Sequence, residues 1–157
     1  MYQSQMLIDG RDLLLEEGSG RRAVIYNPAN QEAVGEVAVG RRQDARLALQ
    51  AAEKAFPLWS KTSSQKRGEI LHEAAARVRE RAEELARLLT LEQGKPLKFA
   101  RAEVLSSADV LDYYAEEGKR NYGEWITGPR SRSIVLHQPI GVAALITPWN
   151  YPVDLLA

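Results

Sequence analysis

The sequence of 157 residues contains no cysteine, which excludes disulfides, thiolate metal ligands and a cysteine nucleophile from this stretch of chain. Long apolar runs are missing as well. The longest, Leu13 to Leu15 and Ile140 to Ile146, fall far short of the roughly 20 residues that cross a bilayer. Neither charge sign is in excess: Lys+Arg and Asp+Glu stand at 21 each and are interleaved, so no basic face is offered to nucleic-acid phosphates. The first residues, Met1-Tyr2-Gln3-Ser4-Gln5, lack the basic and apolar regions of a signal peptide. No internal repeat or low-complexity tract breaks the chain. The expectation is a soluble, cytoplasmic protein without nucleic-acid or membrane partners.

What is there is the composition of an ordinary globular chain, 45% hydrophobic and 27% charged. Met6-Leu7-Ile8 enters an Asp9-Gly10 turn signal, and Leu13 to Leu15 is the expected returning strand of a hairpin. Arg22 to Tyr26 and Ala33 to Val39 read as a second ribbon around an Ala29-Asn30-Gln31 turn.

The apolar period changes at Asp44. Ala45, Leu49, Ala52 and Phe56 share one helical face, and Pro57 is expected to stop that helix. Thr62-Ser63-Ser64-Gln65 has the form of a capping box, with Thr62 as the cap, ahead of Ile70, Leu71, Ala74, Ala75 and Val78 at helical spacing. A third helix spans Glu83 to Gln93 and ends at Gly94-Lys95-Pro96. A fourth carries Leu97, Val104, Ala108, Leu111 and Ala115 on its stripe, with Lys98, Arg101, Glu103 and Asp112 off it, and runs to about Gly118. Past the glycines and proline of residues 123–129, Ser133 to Gln138 reads as a strand. Gly141 to Ile146 reads as an unbroken apolar strand, which suits a parallel sheet covered on both faces. A helix is expected to start at Pro152.

Several candidate sites resolve to ordinary structure. Gly18-Ser19-Gly20-Arg21-Arg22-Ala23 matches a loose dinucleotide fingerprint, but a strand follows where the fingerprint needs a helix. His72 and His137 have no second ligand at a metal-compatible spacing, so no metal is expected and both read as structural histidines. The carboxylate pairs Asp9/Asp12, Glu16/Glu17, Glu83/Glu84 and Glu116/Glu117 sit in turns or on charged helical faces. The stretch Ile146-Thr147-Pro148-Trp149-Asn150-Tyr151-Pro152 differs, because an apolar strand feeds a loop in which two prolines flank an amide. Ligands of open α/β sheets bind at such strand ends. A fixed N–H donor is what a developing oxyanion requires. Taken alone, the loop also fits a structural turn with a packed indole.

The run from Pro139-Ile140-Gly141-Val142 to Pro148-Trp149-Asn150-Tyr151-Pro152 resembles a long motif of the aldehyde dehydrogenase superfamily. Tyr26-Asn27-Pro28-Ala29, Phe56-Pro57-Leu58-Trp59-Ser60, Lys66-Arg67-Gly68 and Thr90 to Leu97 resemble that family's amino-terminal landmarks in their usual order. Glu92 to Pro96 and Ala115 to Arg120 are most similar to the succinate-semialdehyde dehydrogenase branch. The resemblance implies an α/β fold: the amino-terminal part of a doubly wound cofactor-binding domain, with β-hairpins, about four helices and the first part of an oligomerisation ribbon. On that reading residues 1–130 are a helix-rich part of the cofactor-binding domain. Residues 131–139 are an oligomerisation strand, and residues 140–157 a first Rossmann-type strand with the start of its helix.

The same resemblance implies that a full-length, homo-oligomeric enzyme oxidises an aldehyde to an acid through a thiohemiacetal, with NAD or NADP taking the hydride. Asn150 would donate to the thiohemiacetal oxygen, and Ile146, Thr147, Pro148 and Trp149 would line the cofactor cleft. The nucleophilic cysteine and the base glutamate are expected beyond Ala157, so the chain by itself is expected to be inactive. Two departures stand out: Tyr151 replaces the usual phenylalanine, and Asp154 falls where the family is commonly apolar. A different class of reading, a non-enzymatic helical interaction module built on the same scaffold, is separated by whether the reading frame continues past Ala157 and encodes a cysteine.

Overall fold

The computed structural model describes residues 1–13 and 21–157. The loop fingerprint at Gly18 to Gly20, the Glu16/Glu17 pair and the last two leucines of the expected first hairpin lie outside the described residues.

Four helices and seven short strands form an α/β fold among the described residues. Strand β1 (Tyr2–Ser4) pairs parallel with β5 (Ala33–Ala38), and β5 pairs antiparallel with β4 (Arg22–Tyr26), so the ribbon read from sequence gains a third strand. The β4–β5 turn is held by Asn27, whose side-chain oxygen accepts the Ala29 N–H at 3.0 Å and whose carbonyl accepts the Gln31 N–H at 2.8 Å. Strands β2 (Met6–Ile8) and β3 (Arg11–Leu13) form the expected hairpin. Asp9 and Gly10 both take positive φ, 54° and 71°, as a two-residue type I′ turn requires. That tight turn puts Arg11 opposite Ile8, so the return begins two residues before Leu13.

Helix α1 (Arg42–Trp59) is not stopped by Pro57. The ring costs the helix one N–H bond, but the following turn still closes, with the Ser60 N–H reaching the Phe56 carbonyl at 2.8 Å. At the other end, Asp44 accepts the Arg41 N–H at 2.7 Å and pairs with Arg21, which is why an acid is the buried residue of this helix. Of the expected apolar face, Ala45 and Leu49 are exposed and Ala52 and Phe56 are half-buried.

Helix α2 (Ser64–Glu80) is capped one residue later than expected: the Ser63 hydroxyl accepts the Lys66 N–H at 3.2 Å, whereas Thr62 turns back to donate to the Leu58 carbonyl. Gln65 hydrogen-bonds Glu69 and takes no part in the cap. Helix α3 (Ala82–Gln93) ends as expected at Gly94, whose φ of 78° is the left-handed conformation that an L side chain resists. Helix α4 (Leu97–Glu117) follows after one short turn.

The core sits among α2, α3 and α4. Ala82, Ala86, Leu89, Ala100 and Val104 are buried together, with Val78, Leu85, Leu105 and Val153 packed around them. Helices α2 and α4 run antiparallel, since Gly68 faces Ala115, His72 faces Asp112 and Glu116, and Arg79 faces Asp109. The stripe on α4 differs from the expected one. Ala100, Glu103 and Ser107 are buried beside Val104, Ala108 and Ala115, whereas Leu97 is exposed.

Beyond α4, β6 (Glu124–Thr127) and β7 (Arg132–Val135) form an exposed antiparallel hairpin. Strand β7 begins one residue before the expected strand and ends at Val135. Its partner β6 lies within the segment that glycines and proline had marked as a break. Gly141 to Ile146 was expected to be a buried strand, but it forms no ladder; its last residue, Ile146, is 95% exposed, and the preceding Ile140 is 94% exposed. A strand exists only through hydrogen bonds to a neighbour, and no described strand lies beside this one. From Pro152 the chain makes helical turns rather than a helix, with Leu155 N–H to Tyr151 O and Ala157 N–H to Val153 O at 3.2 Å each.

Candidate active site

The segment around Asn150 lies against the turn between α3 and α4. The end of α3 supplies Gln93, whose side-chain amide donates to the Trp149 carbonyl. The left-handed Gly94 then redirects the chain so that Lys95 points back over the same segment. Its ammonium donates to the Asn150 carbonyl at 2.6 Å, lies 4.2 Å from the centre of the Tyr151 ring and pairs with Glu103. Glu103, one and a half turns into α4, also accepts the Val153 N–H at 3.0 Å. Its side chain is only 1% exposed, so a carboxylate otherwise costly to bury is satisfied by a cation and an amide at once.

Gln93, Lys95, Phe99, Trp149, Asn150 and Tyr151 line an open cleft of about 450 Å³. The Asn150 carboxamide makes no hydrogen bond among the described residues, while the backbone that carries it is tied down on both sides. That arrangement leaves the carboxamide without a protein partner at an exposed position beside the cleft. Trp149 lines the same cleft and is exposed; Thr147 is half-buried; Ile146 and Pro148 are exposed and lie outside it. Of the residues expected at the site, the structure therefore gathers Asn150 and Trp149 around the α3–α4 turn and leaves Ile146, Thr147 and Pro148 along its approach.

The two departures noted in the sequence behave differently. Tyr151 is half exposed, with the Lys95 ammonium over its ring. Asp154 is half-buried with one carboxylate oxygen buried and unpartnered, beside a cavity lined by Ser106, Tyr113, Tyr114 and Leu145.

Gln93, Lys95 and Glu103 were not among the site residues read from sequence. Gln93 and Lys95 were legible as a helix terminus and as part of a family landmark, but not as partners of the Asn150 segment. Glu103 sits three residues after Ala100 and four before Ser107, a spacing that places an acid on the buried face.

The histidines keep structural partners. His137 Nδ1 donates to the Tyr122 carbonyl at 2.7 Å. His72 bridges the two helices, Nδ1 to Asp112 at 2.6 Å and Nε2 to Glu116 at 2.8 Å. Both nitrogens face carboxylates, so both must carry hydrogen, and the imidazolium is the favoured form. The hydrogen bonds that it donates to Glu116 and then Asp112 accordingly hold the His72 pKa above its ordinary value of 6.5.

The helical layer and small sheets define an α/β chain that presents an amide at the end of an apolar segment. Solved structures of nicotinamide-dependent enzymes share its fold. A crystal structure of an Escherichia coli NADP-dependent enzyme superposes with a TM-score of 0.89 at 40% identity, over 99% of this chain and 32% of the other. The NAD-dependent aldehyde dehydrogenase from Sinorhizobium meliloti gives a TM-score of 0.88 at 33% identity, over 99% and 32%. The aldehyde dehydrogenase family model matches residues 15–157, and this chain belongs to that family. Among curated relatives, the NADP(+) succinate-semialdehyde dehydrogenase of Escherichia coli (strain K12) is 40% identical over 158 aligned positions, 99% of this chain and 32% of the relative. The chain thus spans about a third of the length of that relative.

Proposed function

We propose that this chain is the amino-terminal part of an NAD(P)-dependent aldehyde dehydrogenase and contributes the oxyanion donor Asn150 to its active site. One observation carries the reading: the Asn150 carboxamide has no partner among the described residues, while hydrogen bonds to the Trp149 and Asn150 carbonyls and from the Val153 N–H fix the backbone around it. A donor carried on a backbone fixed in this way stabilises charge as it develops on a carbonyl oxygen, with only its side-chain torsions left to set.

In the proposed reaction a thiolate attacks an aldehyde, and the Asn150 N–H stabilises the resulting thiohemiacetal oxygen. The sequence holds no cysteine, so that thiolate comes from outside these 157 residues. A bound nicotinamide cofactor, NAD or NADP, supplies the hydride acceptor. The exposed apolar surfaces of Ile146 and Trp149, with Thr147 and Pro148 between them, fit the wall of a cleft for such a cofactor. Succinate semialdehyde leads the aldehydes to test, since the E. coli relative acts on it.

By the same reading residues 131–139 lie in an oligomerisation ribbon, to which the exposed β6–β7 hairpin offers unpaired edges. A cytoplasmic homo-oligomer is the proposed working form.

The test is to express the whole reading frame that contains this chain, supply NAD+ or NADP+ with succinate semialdehyde, and follow the absorbance of the reduced nicotinamide. Turnover is expected from that protein and none from residues 1–157 alone. A whole protein that reduces neither cofactor with any of a panel of aldehydes would overturn the proposal.

A further inference from the structure

The Lys95–Glu103 pair has chemistry beyond helix packing. Two apolar residues would fill the same space between the α3–α4 turn and α4 at no electrostatic cost, yet a carboxylate is buried there with an ammonium against it. Each member of the pair also reaches the Asn150 segment. Lys95 holds the Asn150 carbonyl and Glu103 holds the Val153 N–H, so the peptide units on either side of residues 151–152 are pinned from one ion pair. Gln93 adds a third tie at the Trp149 carbonyl. With that backbone fixed, the direction of the Asn150 Cα–Cβ bond is fixed, and only its side-chain torsions remain to be chosen.

We propose that Lys95 and Glu103 are positioning residues that clamp the backbone around Asn150 and aim its carboxamide. The inference rests on the oxyanion reading of Asn150 for its catalytic meaning, but the clamp itself is tested without turnover.

The experiment records the Asn150 side-chain amide signals by nuclear magnetic resonance on the 157-residue chain, assigned by their loss in Asn150→Ala. Removing Lys95 alone strands a buried carboxylate, so the informative change pairs Lys95→Met with Glu103→Gln, which leaves no unpaired charge and keeps an oxygen for the Val153 N–H. In that pair the Asn150 side-chain amide signals are expected to shift from their native positions, and exchange of the Val153 backbone amide to quicken about tenfold, the effect of exchanging a charged hydrogen-bond acceptor for a neutral one. Lys95→Arg, which keeps a cationic donor, is expected to retain the native signals. Unmoved Asn150 signals in the folded paired variant would overturn the proposal.

A second measurement requires no substitution: a clamped Lys95 ammonium exchanges its protons slowly enough to give its own nitrogen-coupled signal. A Lys95 ammonium that exchanges as fast as the surface lysines would equally overturn it. If Asn150→Ala leaves the whole protein's turnover intact while the clamp signals behave as expected, the catalytic reading fails and the clamp stands. The converse pattern removes the clamp alone.

Discussion

Gly68→Ala tests the packing of the antiparallel α2–α4 seam, because two effects of known size oppose each other there. In an unobstructed helix interior the added methyl stabilises by about 1 kcal/mol, since alanine has less backbone freedom to lose than glycine. At Gly68 the new Cβ would lie 2.8 Å from the Ala115 carbonyl oxygen and 2.9 Å from Lys119 Cε. The lysine can swing away, but the carbonyl belongs to a helix backbone whose neighbours Val104 and Ala108 are fully buried, so the two helices must separate. Overpacking of that kind costs about 1–3 kcal/mol, so after the propensity gain the clash leaves a net loss of up to about 2 kcal/mol. For a chain of this size that is a fall in Tm of up to about 8 °C. The separation would also lengthen the His72 bridges one helical turn away, so the variant should lose part of its pH dependence near neutrality as well. Thermal unfolding followed by circular dichroism reads both effects. A rise in Tm on Gly68→Ala would refute the close approach and the account of this seam.

Protonated His72 is held by Glu116 and Asp112, with Arg79, Lys119 and Asp109 around them. Because the folded pKa of His72 lies above 6.5, its contribution is complete below about pH 6.5 and disappears as pH rises through that higher folded value. Hydrogen bonds, from His72 first for Asp112 and from Lys119 and then His72 for Glu116, hold both carboxyl pKa values low, and that stabilisation disappears as pH falls below about 4. The urea midpoint should therefore decline above pH 6.5 in the native chain and be flat there in His72→Gln; a decline of equal size in the variant would contradict the bridge. Leu89→Ala, at a 3% exposed core position beside α4, should cost about 2–5 kcal/mol by urea unfolding, and a loss below 1 kcal/mol would mean that the core lies elsewhere. The isolated chain, with Ile140, Leu145 and Ile146 exposed, should associate in solution; light scattering showing a sharp monomer at high concentration would contradict that.

The helices were the most legible part of the sequence, because their boundaries rest on local chemistry. Gly94 ends α3 through a backbone conformation that glycine adopts at little cost, and Asp9-Gly10 sets a hairpin for the same reason. The misread boundaries were close competitions: Ser63 rather than Thr62 as cap, and a Pro57 that removes one hydrogen bond without ending α1. What could not be read was whatever depends on distant partners. Strand β1 exists through its pairing with β5, some thirty residues away. Conversely, Gly141 to Ile146 has the composition of a buried strand but makes no strand pairing here. At the site, the motif ending in Asn150 was legible, whereas Glu103 was assigned to the polar side of α4. Its burial follows from a lysine beyond the helix start and an amide fifty residues later.

The most direct test of the account is the aldehyde-dependent kcat of the whole protein carrying Asn150→Ala. Removal of one oxyanion donor is expected to lower kcat by about 10²–10³, with the KM for aldehyde nearly unchanged, since the donor acts on charge that develops after binding. A kcat within a factor of two of the native value would contradict the central claim that this chain supplies the oxyanion donor.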